Sequence, residues 1–238
     1  MTQFAKAFTP EKLAEAWKIL TQDYPLWQEL WTTLYITIIS TLFAVIIGLP
    51  LGILLVTGDE RGIRPMPKAL MKVLNVIINF LRSVPFLVLI VVVIPLTRAI
   101  VGTATGSVAI IVPLVVAAFP FVARLVESSL RELDPNIIEM AQSMGSSTFQ
   151  TIFHVMLPES VPSLVTNFTL AITTILGYTA MSGAVGGGGL GNVAITIGYN
   201  RYKYAVLYII MIVLVLVVQV FQHVGTWAAM KLDKRQKK

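Results

Sequence analysis

Several things are scarce in this sequence. The chain of 238 residues has no cysteine, which excludes internal disulfides and thiolate metal sites and leaves the compartment open. Charged residues make up only 13% of it, against about 25% in a typical soluble domain. No glycine-rich stretch ends in Lys followed by Ser or Thr, so the phosphate-cradling loop of an ATPase is missing. Neither G-x-S-x-G nor H-E-x-x-H occurs. His154 and His223 stand alone, without acids or cysteines at ligand spacing, and read as loop or interfacial residues. No catalytic constellation and no metal site emerge. The deep apolar runs hold no Asp or Glu and the chain shows no internal repeat, which argues against an ion-driven secondary transporter. Met1 to Leu20 is interrupted by Glu11, Lys12, Glu15 and Lys18, so it is not a signal peptide.

What is present is apolar. Hydrophobic residues make up 56% of the chain and its mean hydropathy is +0.80, which predicts an all-α polytopic membrane protein. The length leaves room for one membrane domain and no further soluble domain of ordinary size. Apolar runs near 30–56, 73–94, 107–122, 161–184 and 204–230 give five spans, each near the ~20 residues a bilayer needs. The run 73–94 is interrupted by Arg82-Ser83-Val84-Pro85 and is either one kinked span, the favoured reading, or two half-helices. Arg82 inside an apolar run either faces a pore, a carbonyl cluster or an acid, or snorkels to the surface. Arg124 and Glu127 are spaced to pair across one helical turn. Gly48, Pro50 and Gly52 permit bending or close packing.

The net charge of +6 sits largely at span ends and in the tail Lys231, Lys234, Arg235, Lys237 and Lys238. Membrane topology explains it better than nucleic-acid binding. The basic loop 57–72 and the basic tail 231–238 are expected in the cytoplasm, which places the N-terminus outside. Residues 1–26 read as an amphipathic extension lying on the membrane, with Phe4, Phe8, Leu13, Trp17 and Leu20 opposite Lys6, Glu11, Glu15 and Lys18, or as a mobile tail. Trp27 and Trp31, and Tyr199, Tyr202, Tyr204 and Tyr208, are interfacial aromatics.

The segment 134–158 lies between spans but cannot cross a bilayer itself. Asp134 is a plausible N-cap, Pro135 suits the first helical position, and Gly145 suits the residue past the end. Ser147 with Gln150 makes a capping box, and Leu157-Pro158 is expected to close the second helix. Ile137, Ile138, Met140, Ala141 and Met144, then Phe149, Ile152, Phe153 and Met156, give both helices an apolar side suited to docking on another protein. The fourth span carries Thr166, Asn167, Thr169, Thr173, Thr174, Tyr178, Thr179 and Ser182, which either bind neighbouring helices or line an aqueous route. Gly183 to Gly191 predicts tight, irregular backbone at the outer mouth, packed against protein.

Glu139, Ala141 and Gly145, followed by Val155, Leu157 and Pro158, resemble the cytoplasmic "EAA" signature of bacterial ABC importer permeases, with Met140 in place of the usual alanine. Arg82-Ser83-Val84-Pro85-Phe86 and Gly177-Tyr178-Thr179-Ala180-Met181-Ser182-Gly183-Ala184-Val185-Gly186 are similar to the permeases of methionine uptake importers. This likeness covers 27 to the C-terminus and implies a type I ABC importer permease domain over 27–230. It implies that 134–158 couples to an ATPase subunit through Glu139, Met140, Ala141, Gly145, Val155, Leu157 and Pro158. It further implies a homodimer in the bacterial plasma membrane, surrounded by lipid, with two ATPases that hold the ATP and Mg and with a substrate-binding lipoprotein outside. The chain itself would be non-catalytic and need no cofactor. Methionine, with D-methionine and related derivatives, is the expected substrate. Another small amino acid or solute is the alternative, and ion-driven transport a remote one. By position, Met181 is expected at the gate or merely in packing, with Tyr178, Asn167, Thr174 and Arg82 along the path.

Overall fold

The computed structural model describes residues 8–233, so Phe4, Lys6 and the tail from Lys234 onward lie outside the described residues. Helix follows helix, with no strand among the described residues. In order they are α1 (Pro10–Lys18), α2 (Leu26–Thr57), α3 (Lys68–Ser83), α4 (Phe86–Val101), α5 (Ile111–Arg131), α6 (Pro135–Ser143), α7 (Thr148–Gln150), α8 (Leu157–Ser182), α9 (Gly189–Val193) and α10 (Tyr204–Leu232). Wider π-helical turns extend α1 over Ile19–Asp23, join α7 to α8 over Thr151–Met156, and extend α9 over Ala194–Tyr199.

Four helical segments are long and apolar enough to cross a bilayer alone: Leu26–Thr57, Ile111–Arg131, Thr148–Val185 and Tyr204–Leu232. The fifth crossing needs α3 and α4 together, and these meet at a bend of 114°. The region is therefore broken rather than kinked. Val84 is extended (φ −76°, ψ 126°), because the following Pro85 crowds the α conformation. Two non-helical residues are enough to turn the chain. Each half is 16 residues long, about 24 Å, short of a ~30 Å hydrocarbon core.

The chain forms two compact units. One takes the residues up to Thr41, Pro85–Val115 and Ile172–Val220. In its core, Ala16 and Leu20 of the N-terminal segment pack with Leu190, Val193, Ile197, Val206 and Ile210. The extension is thus held by protein along one face, rather than resting on lipid alone. The glycine-rich loop belongs to this unit and is as tight as its composition suggests. A Cβ on Gly183 would lie 2.2 Å from the Gly191 carbonyl carbon, and one on Gly191 2.2 Å from the Ala180 oxygen. Thr33 accepts a 2.9 Å bond from the Leu190 amide, tying the loop to α2.

The other unit takes Leu42–Val84, Val116–Ala171 and the residues from Phe221. Leu55, Met71, Ile78 and Ala123 form its apolar centre. Gly48 and Gly52 sit one turn apart on α2 and let it approach α5. A Cβ on Gly48 would lie 2.8 Å from Val122 Cβ, and one on Gly52 2.6 Å from the Ala123 carbonyl oxygen.

Candidate functional site: a docking ledge and a polar span

The segment between α5 and α8 is built by its caps. Asp134 accepts a 2.9 Å bond from the Asn136 amide and starts α6 with Pro135 at its first position. Gly145 takes φ +81° just past the end. The Ser146 amide then reaches back 3.2 Å to the Ala141 carbonyl, closing the helix C-terminus. Ser147 and Gln150 complete the reciprocal box, at 2.9 and 3.3 Å.

Leu157-Pro158 does not end the second helix. The helix runs unbroken from Thr148 to Val185. The π-helical turn over Thr151–Met156 comes immediately before it. Pro158 follows directly, inside the continuous helix, and the wider pitch just ahead of it accommodates the ring and the missing amide. Continuous helix therefore leads from this segment into the fourth span.

Burial divides the expected coupling residues into two groups. Ala141 is 8% exposed, and Met156 and Thr151 are buried. Val155 and Leu157 are half-buried, while Glu139, Gly145 and Pro158 are exposed. Met144 is 81% exposed, and Met140, Phe149 and Phe153 are exposed with it. The Phe149 and Phe153 rings pack on each other, centroids 4.3 Å apart. Two methionines and two phenylalanines thus form a ledge whose burial would release substantial apolar area from water.

Behind the ledge lies a cavity of about 520 Å³, lined in part by Thr57, Asp59, Arg131, Ile138 and Glu139. Arg131 closes its edge, donating to Asp59 at 2.8 Å and to Glu127 at 3.0 Å. That guanidinium, helped by the Glu60 amide, holds the Asp59 carboxyl below the ordinary carboxylate range. Glu127 also receives Arg124 Nη1 at 2.6 Å, the pair expected from spacing. Arg124 Nη2 goes on to Asn75 at 2.7 Å and Asn79 at 3.0 Å on α3. This polar ladder from the 57–67 loop through α5 to α3 was missed by sequence reasoning. Asn75 and Asn79, four residues apart in an apolar run, were the available signal.

The expected path residues have separate partners. Asn167 donates to Ser129 Oγ at 2.8 Å and to the Leu125 carbonyl at 3.2 Å, so it fastens α8 to α5. It also lines a cavity of about 450 Å³ with Glu132, Ser163 and Thr166. Tyr178 stacks on Phe86, centroids 4.6 Å apart. Met181, one turn beyond, is exposed, and Thr174 is half-buried. Arg82 is exposed in the last turn of α3, at the break, where the helix C-terminus favours a cation. It is therefore at a helix end, not inside a continuous span.

A set of helices long and apolar enough to cross a bilayer, interrupted by a capped segment with an exposed apolar ledge, defines a polytopic membrane protein. Residues 48–238 match the family described as the binding-protein-dependent transport system inner membrane component. The chain belongs to this family and is a multi-pass protein of the bacterial inner membrane. It is 44% identical over 188 residues to the probable D-methionine transport system permease protein MetI of Vibrio cholerae, covering 79% of this chain and 83% of that one. It is 40% identical over 168 residues to the methionine import system permease protein MetP of Bacillus subtilis, covering 71% and 76%. A solved inward-facing MetNI methionine ABC transporter contains a chain of the same fold, with TM-score 0.86 and 39% identity, covering 90% of this chain and 99% of that one.

Proposed function

We infer that this chain is the permease subunit of an ABC importer that carries methionine, including D-methionine and related derivatives, into the cell. The names of its relatives support the substrate. The exposed ledge of Met140, Met144, Phe149 and Phe153 is the observation that carries the partnership. Four large apolar side chains left open on a capped segment call for a complementary groove. In this reading the groove belongs to an ATPase subunit, which holds the ATP and Mg, while the permease itself does no chemistry. Two permeases and two ATPases form the core, and a lipoprotein delivers substrate from outside. The basic 57–72 loop supports a cytoplasmic position for the ledge.

Because Thr148–Val185 is continuous helix, no loop intervenes between Phe149 and the fourth span, and a displacement of the ledge acts on that span through helical backbone. Met181 then serves at the outer gate, with Tyr178, Thr174, Asn167 and Arg82 along the path. The ledge itself contacts the ATPase, with Glu139 and Pro158 at its margin. Ala141, Gly145, Val155 and Leu157 hold its shape.

The test is methionine uptake into proteoliposomes holding the permease, its ATPase and the binding protein. Met144→Asp is expected to leave the permease folded, to abolish ATP-dependent uptake, and to weaken retention of the ATPase at least tenfold. Normal ATP-driven uptake by Met144→Asp and Phe149→Asp together would overturn the docking assignment. Competition by unlabelled amino acids other than methionine would overturn the substrate.

A further inference from the structure

On one side of the N-terminal helix lies a small cavity that transport does not explain. It measures about 240 Å³ and sits between α1 and the turn that leads into α10. Lys12 and Glu15 line it from α1, and Arg201, Tyr202, Lys203 and Tyr204 from the turn. Three cations face one carboxylate. That carboxylate, Glu15, is bonded to Lys203. Lys12 and Arg201 are exposed and make no ion pair among the described residues. The floor is apolar and contains the buried Ala16, Ala205 and Val206. Tyr202, at φ +59°, is the one described non-glycine residue in the left-handed region. A bulky residue held there marks a turn whose shape is imposed by its surroundings.

The setting identifies the ligand. Two crossing helices begin beside this cavity in sequence, α2 at Leu26 and α10 at Tyr204. Trp17, Trp27, Tyr199 and Tyr202 are all strongly exposed around these starts. Tryptophan and tyrosine collect where hydrocarbon meets headgroup. A cationic rim over an apolar floor at that depth fits a phosphodiester with its glycerol stem.

We propose that Lys12, Arg201 and Lys203 bind the headgroup of an anionic phospholipid, so that the N-terminal helix clamps a lipid against α10. The site rests on the chain being a membrane protein and not on its substrate. Glu15 is the built-in competitor, since it bonds Lys203.

The full-length permease in detergent, titrated with phosphatidylglycerol and with phosphatidylcholine and read by native mass spectrometry, tests this. The wild type is expected to retain phosphatidylglycerol preferentially. At roughly fivefold per basic residue, Lys12→Gln with Arg201→Gln should weaken that retention by about 25-fold. Lys72→Gln, outside the cavity, should change nothing. Glu15→Gln should tighten retention, an opposite sign that a misfolded variant would not give. Equal retention of the two lipids, or no response to either cavity variant, overturns the proposal. Displacement of the lipid by equimolar inorganic phosphate would reassign the cavity to a free anion and overturn the lipid assignment. Loss of binding-protein docking with unchanged lipid retention would assign it to a protein partner and overturn it as well.

Discussion

Removing the Glu127 side chain should be the most damaging single change in the polar ladder. The carboxylate is 13% exposed and accepts from Arg124 at 2.6 Å and from Arg131 at 3.0 Å. Arg124 is itself only 20% exposed, and its Nε already lacks a partner. With Glu127→Ala the Arg124 charge keeps Asn75 and Asn79 but loses its counter-ion. Breaking a buried pair in this way costs about 3–5 kcal/mol. Arg131 is 48% exposed and recovers water, so the lower end, about 3 kcal/mol, applies. Asp59→Ala provides the contrast. There both partners are roughly half exposed, at 48% and 43%, and such a pair contributes at most about 1 kcal/mol. Denaturant unfolding in mild detergent, with the mutants Glu127→Ala, Asp59→Ala, Arg124→Ala and the Glu127/Arg124 double, measures the difference. The double mutant should cost less than the sum of the singles, because the stranded Arg124 charge that makes Glu127→Ala costly is absent from it. Equal losses for Glu127→Ala and Asp59→Ala, or strict additivity in the double, would refute the reasoning.

Two helical glycines, one crowded and one open, should respond oppositely to an added methyl. Gly52→Ala should lower stability by about 1–3 kcal/mol, since its Cβ meets the Ala123 oxygen at 2.6 Å. Gly177→Ala, with nothing within 4 Å, should be neutral or stabilising by up to about 1 kcal/mol; thermal unfolding distinguishes them. The Asp59 carboxyl is held low by Arg131, so its stabilisation is complete above the ordinary carboxylate value of about 3.9 and is lost as pH falls through its lower folded value. The stability gap between wild type and Asp59→Asn should therefore stay flat from pH 5 to 8 and close only below about pH 4. Ser147→Ala should cost about 1 kcal/mol and reduce ordering of the ledge, visible as faster amide exchange at Thr148–Gln150.

What the sequence made legible was local. The Asp134 and Ser147 caps, the Gly145 terminus, the Arg124–Glu127 pair and the crowded glycine loop each depend on residues near one another in the chain, and the structure has all of them. What it hid depends on a neighbour or on a change of helical pitch. Pro158 reads as a stop because an interior proline costs a helix a hydrogen bond and a clash, yet a π-helical turn just ahead of it lets the helix continue. Asn167 reads as either a bond to a neighbouring helix or a lining residue, and only Ser129 and the Leu125 carbonyl, some forty positions away, show that it fastens α8 to α5. Arg82 reads as a charge inside an apolar run that must face a pore or partner or else snorkel, until the 114° break places it at a helix end. The Pro158 difference bears on function most directly. Had the helix ended there, a loop would have separated the exposed ledge from the polar span. The wider pitch carries the helix through instead, so the residue that looked like a terminator lies within the continuous helix that runs from the ledge into the polar span.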